Sequence, residues 1–423
     1  MSDTPFTDPP YSQKRLTKSI ERSAAWLASL IRPISAADNV SSSAAHLNAL
    51  QSSSGAYLHH PTVLVHMSGG SSIPARRAFS SSLMEPLYGP EANLLSPLKS
   101  LDEGIAGYTF DLKPLRQAIE AAERKDNGAK TLGILPPTNG IGTDGAVLED
   151  SDPDLALPAH TDSIVPLLQA SLAKLPEEKV RVLNSTEGPH EILKYITEVG
   201  VDVFDGGWAQ RAADNGIGLD FTFPVREAKT GDELKRDIAH DFYDAKYVFD
   251  FGTISDCFRG AFVGSMDGKV QDERPICPCA TCSPLTPQHQ ISHGVDTPEY
   301  TRSNPIPGDG RAQPHHTRAY IHHLLHTHEM SAHTLLVMHN LAVLSHFFEG
   351  IRGVIESLSS GQRPEGGWAE EVQKFHDTYD MGRGLFVQAK KRWREVDLAR
   401  GKGRLAREKA KEVQPESIEI DSV

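Results

Sequence analysis

Four cysteines in 423 residues are too few for a disulfide framework, and three of them fall within six positions. That excludes the small, bridge-dense secreted class and, in a reducing compartment, favours a metal over a disulfide. Long apolar runs are missing too. No stretch approaches eighteen uninterrupted apolar residues, so no membrane span is expected. There is no overall basic surplus either: the net charge is -13, which argues against a surface coated for nucleic acid. The first fourteen residues hold three prolines and two aspartates, with neither an apolar signal core nor an Arg-rich amphipathic pattern. No secretory or organellar address is read there, and the expected setting is cytosolic.

What is present fits a soluble globular chain of one large or two ordinary domains, 39% hydrophobic and 23% charged. The charge is unevenly spread. Lys390 to Lys411 holds ten basic residues against three acidic ones, leaving -20 for the rest. Lys391, Arg392 and Arg394 in this run are candidate phosphate contacts, the plain alternative being a solvated helix face. Helical spacing predicts helices over Arg15–Ile31, Pro74–Met84, Lys113–Arg124, Ser163–Leu175 and Pro189–Glu198. Short apolar runs predict strands over Thr62–Met67, Gly107–Leu112, Val180–Leu183 and Val201–Phe204, and this alternation argues for βα units with a parallel sheet. Further short strands are expected at Leu219–Phe223 and Lys246–Asp250, then one long helix from Arg318 to Ile351. Loop insertions are expected near 35–60 and 125–158, with disordered ends at 1–14 and 417–423.

The cysteines carry the clearest chemistry. Cys277, Cys279 and Cys282 stand in the spacing C-x-C-x-x-C, and Pro278 stiffens the turn between the first two. Thiolates are strong ligands, and three on one tight turn can take three corners of a tetrahedron around zinc. Spacing leaves the fourth ligand open among ten histidines from His289 to His339. With four protein ligands no position remains for water, so such a site is structural.

The cysteine turn, the run Arg318-Ala-Tyr-Ile-His-His-Leu, Glu329 and Met338-His339-Asn340 resemble the zinc subdomain of tRNA-guanine transglycosylases. Gly200–Asp205 resembles the end of that family's last barrel strand, and Lys18–Leu27 a helix in mid-barrel. The resemblance runs from about Gln13 to Arg352. It implies His339 as the fourth ligand of one structural Zn2+ per subunit. It also implies an α/β fold of the (β/α)8 TIM-barrel type, here lacking its N-terminal strands, with a zinc-binding subdomain and long C-terminal helices. The implied division is 15–223 for a partial barrel, 224–352 for the zinc subdomain and 353–416 for a C-terminal helical region.

In catalytic members the aspartate that aligns with Asp205 is the nucleophile. The residues around it depart from those members: Phe110-Asp111 stands for their glycine pair, Ser68-Gly69 for their Gln-Gly turn, and Leu183-Asn184-Ser185 for an apolar residue and glycine. These departures resemble the eukaryotic non-catalytic accessory members, a fungal version especially. The implied function is support of guanine-for-queuine exchange at the tRNA wobble position, in a heterodimer with a catalytic queuine tRNA-ribosyltransferase subunit. Asp205 then caps a turn against Gly206 and Gly207, while Lys391, Arg392 and Arg394 meet tRNA phosphates. The helix from Arg318 to Ile351 becomes the dimer interface, with His322, His323 and Phe347 contributing. A cytoplasmic protein, with peripheral association at the mitochondrial outer membrane, is implied. The alternatives are an active transglycosylase using Asp205 and a zinc-stapled protein-interaction module.

Overall fold

The computed structural model describes residues 11–32, 62–131, 160–225, 235–257, 277, 279–282, 316–364, 366–389 and 391–393. The expected insertion near 35–60, the 132–158 part of the one expected near 125–158, the disordered tail and most of the N-terminal segment lie outside these residues. Two compact units are present. One comprises Met1–Leu148 with Leu157–Gly207, the other Glu149–Ala156 with Trp208–Val423.

The first unit is α/β, as the alternation predicts. Its strands are β1 (Leu64–His66), β2 (Gly107–Asp111), β3 (Val180–Asn184) and β4 (Val203–Phe204). All pairings are parallel and the spatial order is the chain order, β1-β2-β3-β4. Gly107 permits the close approach of β2 to β3, because a Cβ there would strike the Val180 carbonyl oxygen. Among the described residues this sheet has four strands and two open edges.

The helices cover the sheet with apolar faces. Helix α1 (Gln13–Ile31) starts at Ser12, whose side chain accepts from the Arg15 amide, and buries Leu16, Ser19, Ser23, Leu27 and Ile31. That stripe recurs every three or four residues, one face of a helix. Helices α2 (Ile73–Met84), α4 (Leu112–Thr131), α5 (Thr161–Leu172) and α6 (Pro189–Val199) complete the alternation. Helix α4 runs through the start of the segment expected as loop. Short α3 (Gly89–Leu95) was not anticipated. Phe79, Tyr108, Phe110, Leu168, Leu183 and Tyr195 are nearly or fully buried in one core.

The second unit pairs β5 (Ile217–Leu219) with β6 (Ala239–Asp241) antiparallel. Helix α7 (Gly207–Asp214) leads into it. Helices α8 (Arg318–His326), α9 (Met330–Ser359) and α10 (Gly367–Thr378) follow. Phe221, Phe223, Phe347 and Phe375 pack their rings 5.4 to 6.1 Å apart at the centre of this unit. Such tilted and edge-on pairs add to the burial of the rings themselves.

Three expectations change here. The single helix from Arg318 to Ile351 is two helices, separated where His328 takes a left-handed φ of 57°. Lys246–Asp250 is no strand: Asp244 caps a 3-10 turn over Ala245–Tyr247 by accepting from the Lys246 amide, and this local bond wins over extension. Phe347 is fully buried and His322 is 9% exposed, so neither offers an interface surface, whereas His323 is exposed. Helix α9 is long and apolar enough by length and composition to cross a membrane. Its buried side chains include His339 and Asn340, both hydrogen-bonded inside the unit, as in the core helix of a folded domain.

Candidate metal centre

Cys277, Cys279, Cys282 and His339 converge in the second unit. All four are buried, and their ligand atoms lie within 4.8 Å of one another. The His339 Nδ1 atom is 3.5, 3.7 and 3.3 Å from the sulfurs of Cys277, Cys279 and Cys282. Tetrahedral zinc, with S at about 2.3 Å and N at about 2.0 Å, would set that edge at about 3.5 Å. The described side chains therefore form a buried three-thiol, one-imidazole cluster that can hold a metal ion.

The neighbours fix the ligands. His339 Nε2 sits 2.9 Å from the Leu219 carbonyl, which directs Nδ1 at the sulfurs. The Cys282 amide donates to the Cys279 sulfur at 3.3 Å, and Thr281 Oγ1 donates to the Leu335 carbonyl at 2.9 Å, tying the cysteine turn to α9. Left to themselves, the groups drive one another's proton affinity apart. Hydrogen bonds with Cys277 and Cys282 pull the Cys279 thiol far down, and those with Cys277 and Cys279 push Cys282 far up. Burial pulls the His339 imidazole down, but bonds to Cys277 and Cys279 outweigh it and lift it to about 10. Buried thiolate charge of this kind is what a divalent cation neutralises.

A second network, unforeseen in the sequence, lies in the same unit. Asp220 Oδ1 accepts from Ser255 Oγ at 2.7 Å and the Cys257 amide at 2.7 Å, and Oδ2 contacts His240 Nε2 at 2.7 Å. Burial pushes the Asp220 carboxyl up, but its bond to His240 and the amides more than reverse this and hold it well below the usual range. Arg318, first residue of the RAYIHHL run, reaches Asp256 at 2.9 Å and Asp250 at 3.2 Å. No spacing rule foretells Asp220, because its partners lie 20 to 37 residues away.

Asp205 stands at the end of β4, in the first unit. Its Oδ2 accepts from the Ser185 amide at 2.8 Å and its Oδ1 from the Gly207 amide at 3.3 Å. The capping role holds at Gly207, with Ser185 as a further donor. Beside it, Arg116 Nη2 donates to both carboxylate oxygens of Glu191, each at 2.7 Å, and its Nη1 donates to the Ser185 carbonyl at 2.6 Å. Ser68, Phe110 and Asp111, three of the residues that the resemblance sets apart from catalytic members, line one cavity at the ends of β1 and β2 with His66 and Arg76. Asn184 and Asp205 are not among its lining residues. Burial lowers the Arg76 guanidinium to about 10.

Of the candidate phosphate contacts, Arg392 pairs with Asp241 through both guanidinium nitrogens and lies 4.5 Å over the Tyr243 ring. Lys391 is exposed, and Arg394 lies outside the described residues.

Comparison with known proteins gives a family model, Queuine tRNA-ribosyltransferase, matching residues 307–365. The queuine tRNA-ribosyltransferase accessory subunit 2 of Homo sapiens is 26% identical over 217 residues, covering 49% of this chain and 44% of the human one. That of Drosophila virilis is 27% identical over 279 residues, 65% of this chain and 47% of the relative. That of Schizosaccharomyces pombe is 26% identical over 221 residues, 52% and 36%. The chain thus spans less than half the length of these relatives. Together, the cysteine turn, the RAYIHHL helix, the His339–Asn340 pair and these matches bear out the resemblance: the chain is similar to the queuine tRNA-ribosyltransferase family and, within it, to accessory subunit 2.

Proposed function

We propose that this chain is a non-catalytic accessory subunit of a queuine tRNA-ribosyltransferase, paired in a heterodimer with a catalytic homologue and supporting guanine-for-queuine exchange in tRNA. The observation that carries the reading is the altered pocket, together with the turn-capping bonds of Asp205. Both of its oxygens accept backbone amides, from Ser185 and Gly207, and the altered residues Ser68, Phe110 and Asp111 lie together at the cavity beside β1 and β2. One amide on each oxygen leaves lone pairs free, so the reading turns on the pocket: a nucleophile also needs one that positions and stabilises the departing base.

Zinc is the ion that three thiolates and an imidazole in a buried tetrahedral setting fit best, and it has a structural role. It would be held by Cys277, Cys279, Cys282 and His339, joining the cysteine turn to α9. The sequential parallel order of β1 to β4 suits part of a (β/α)8 barrel, with 15–223 as that part, 224–352 as the zinc subdomain and 353–416 as the C-terminal helical region. Lys391 and the basic run containing Arg394 would meet tRNA phosphates. Arg392 serves inside the fold through Asp241. The setting is the cytoplasm, with peripheral association at the mitochondrial outer membrane.

Substituting Asp205→Ala tests the reading. The loss of two amide acceptors lowers stability by about 1–2 kcal/mol. Exchange by the folded complex should stay within tenfold of wild type, a change of less than about 1.4 kcal/mol in barrier. A larger loss of exchange, measured per folded complex, would make Asp205 a nucleophile and this chain the enzyme.

A further inference from the structure

Helix α9 contributes a second buried polar side chain beside the ligand His339. Asn340 is fully buried, and its Nδ2 donates to the carbonyls of Ile217 at 2.9 Å and Ala209 at 3.1 Å. Its Oδ1 accepts from the Leu219 amide at 2.8 Å. Donating to residue 217 and accepting from residue 219, the carboxamide brackets Gly218 much as the peptide group of a neighbouring strand would. The other edge of β5 belongs to β6 and its flanks, where the Gly216 carbonyl accepts from Phe242 and the Asp220 amide donates to Ile238. The backbone groups of Ile217 and Leu219 are therefore turned towards α9. Two successive residues of that helix hold Leu219 at both ends: Asn340 takes its N–H, and His339 Nε2 meets its carbonyl.

We infer that Asn340 is a positioning residue of the metal centre, which sets the direction of the Leu219 carbonyl and through it the tautomer of His339. A proton held on Nε2 by that carbonyl leaves the Nδ1 lone pair facing the three sulfurs. If Leu219 turned away, a proton on Nδ1 would point at the sulfurs and block coordination. The inference rests on the metal reading above and adds a residue outside the ligand set. It also gives the bare edge of β5 a partner without a further strand.

The test titrates the full chain with zinc against a competing chelator, as wild type, Asn340→Asp and Phe347→Leu. Asn340→Asp keeps the size but turns an anion on the carbonyls of Ile217 and Ala209. Its zinc affinity should fall about 10–100-fold, the usual cost of losing a ligand's supporting partner. Phe347→Leu, a core change on the same helix, should lower the melting temperature and leave zinc affinity within about twofold. An Asn340→Asp affinity within about twofold of wild type, or an equal loss in Phe347→Leu, overturns the inference. Should Asn340→Asp not fold, long-range 15N spectra of the wild-type zinc form decide instead. Metal on His339 Nδ1 with a slowly exchanging Nε2 proton supports it, and metal on Nε2 overturns it. Wild type that takes up no zinc refutes the metal reading itself, and this inference with it.

Discussion

Cys279→Ser is expected to release the metal. Zinc counted in the purified protein should fall from one per chain to background after dialysis against a chelator that leaves the wild type loaded. Cys279 lies between the other two ligands on the turn, and its sulfur is also the acceptor of the Cys282 amide, so the change removes a ligand and loosens the turn that presents the next one. Apparent binding free energies of structural zinc are on the order of 10 kcal/mol, and this counts towards folding wherever the site does not exist in the unfolded chain. The unit containing α9 should then melt well below the wild-type temperature in the variant, and chelator should produce the same shift in the wild type. Full metal retention in Cys279→Ser would remove the cluster from the account.

Arg116→Met should lower stability by about 3–5 kcal/mol, read by denaturant unfolding. Arg116 and Glu191 have side chains 5% and 4% exposed and are joined by two bonds of 2.7 Å. Burial alone would lower the arginine's proton affinity, but the charges of Glu191 and Glu187 outweigh it and raise it further. Removing the guanidinium strands a buried carboxylate and frees the Ser185 carbonyl, at a residue with φ of 67°. The double variant Arg116→Met with Glu191→Gln should recover part of that loss, since the uncompensated charge goes with it. If the single variant costs less than about 1 kcal/mol, the pair does not hold the end of β3.

Much of the first unit was legible because its signals are local. The β-branched run before β1, the 3.6-residue stripes of α1 and α6, and the glycines and prolines between them all act within a few residues. The features that escaped are those decided elsewhere in the chain. Helix α7 opens on Gly206-Gly207, which reads as loop, yet Trp208, Ala209, Ala212 and Ala213 are buried against the folded unit. The break at His328 is a left-handed residue with neither glycine nor proline to announce it. Lys246–Asp250 looked extended by composition, and an aspartate cap made it a turn.

The same division runs through the site. Three cysteines in six positions announced their chemistry, whereas the fourth ligand could be chosen among ten histidines only by resemblance. His339 and Leu219 are 120 residues apart, and Ser185 and His240 each lie 20 residues from the aspartates they contact, Asp205 and Asp220. Periodicity marked one apolar stripe on α9 but could not say which side it faced, and Phe347 proved to be core.

The account's central claim is an accessory role, and one assay addresses it most directly. Guanine exchange into cognate tRNA would be measured for the isolated chain and for its co-purified complex with a catalytic homologue, with zinc counted in both. Exchange by the complex alone, with one zinc per subunit, is the expected result. Exchange by the isolated chain that Asp205→Ala abolishes would contradict it.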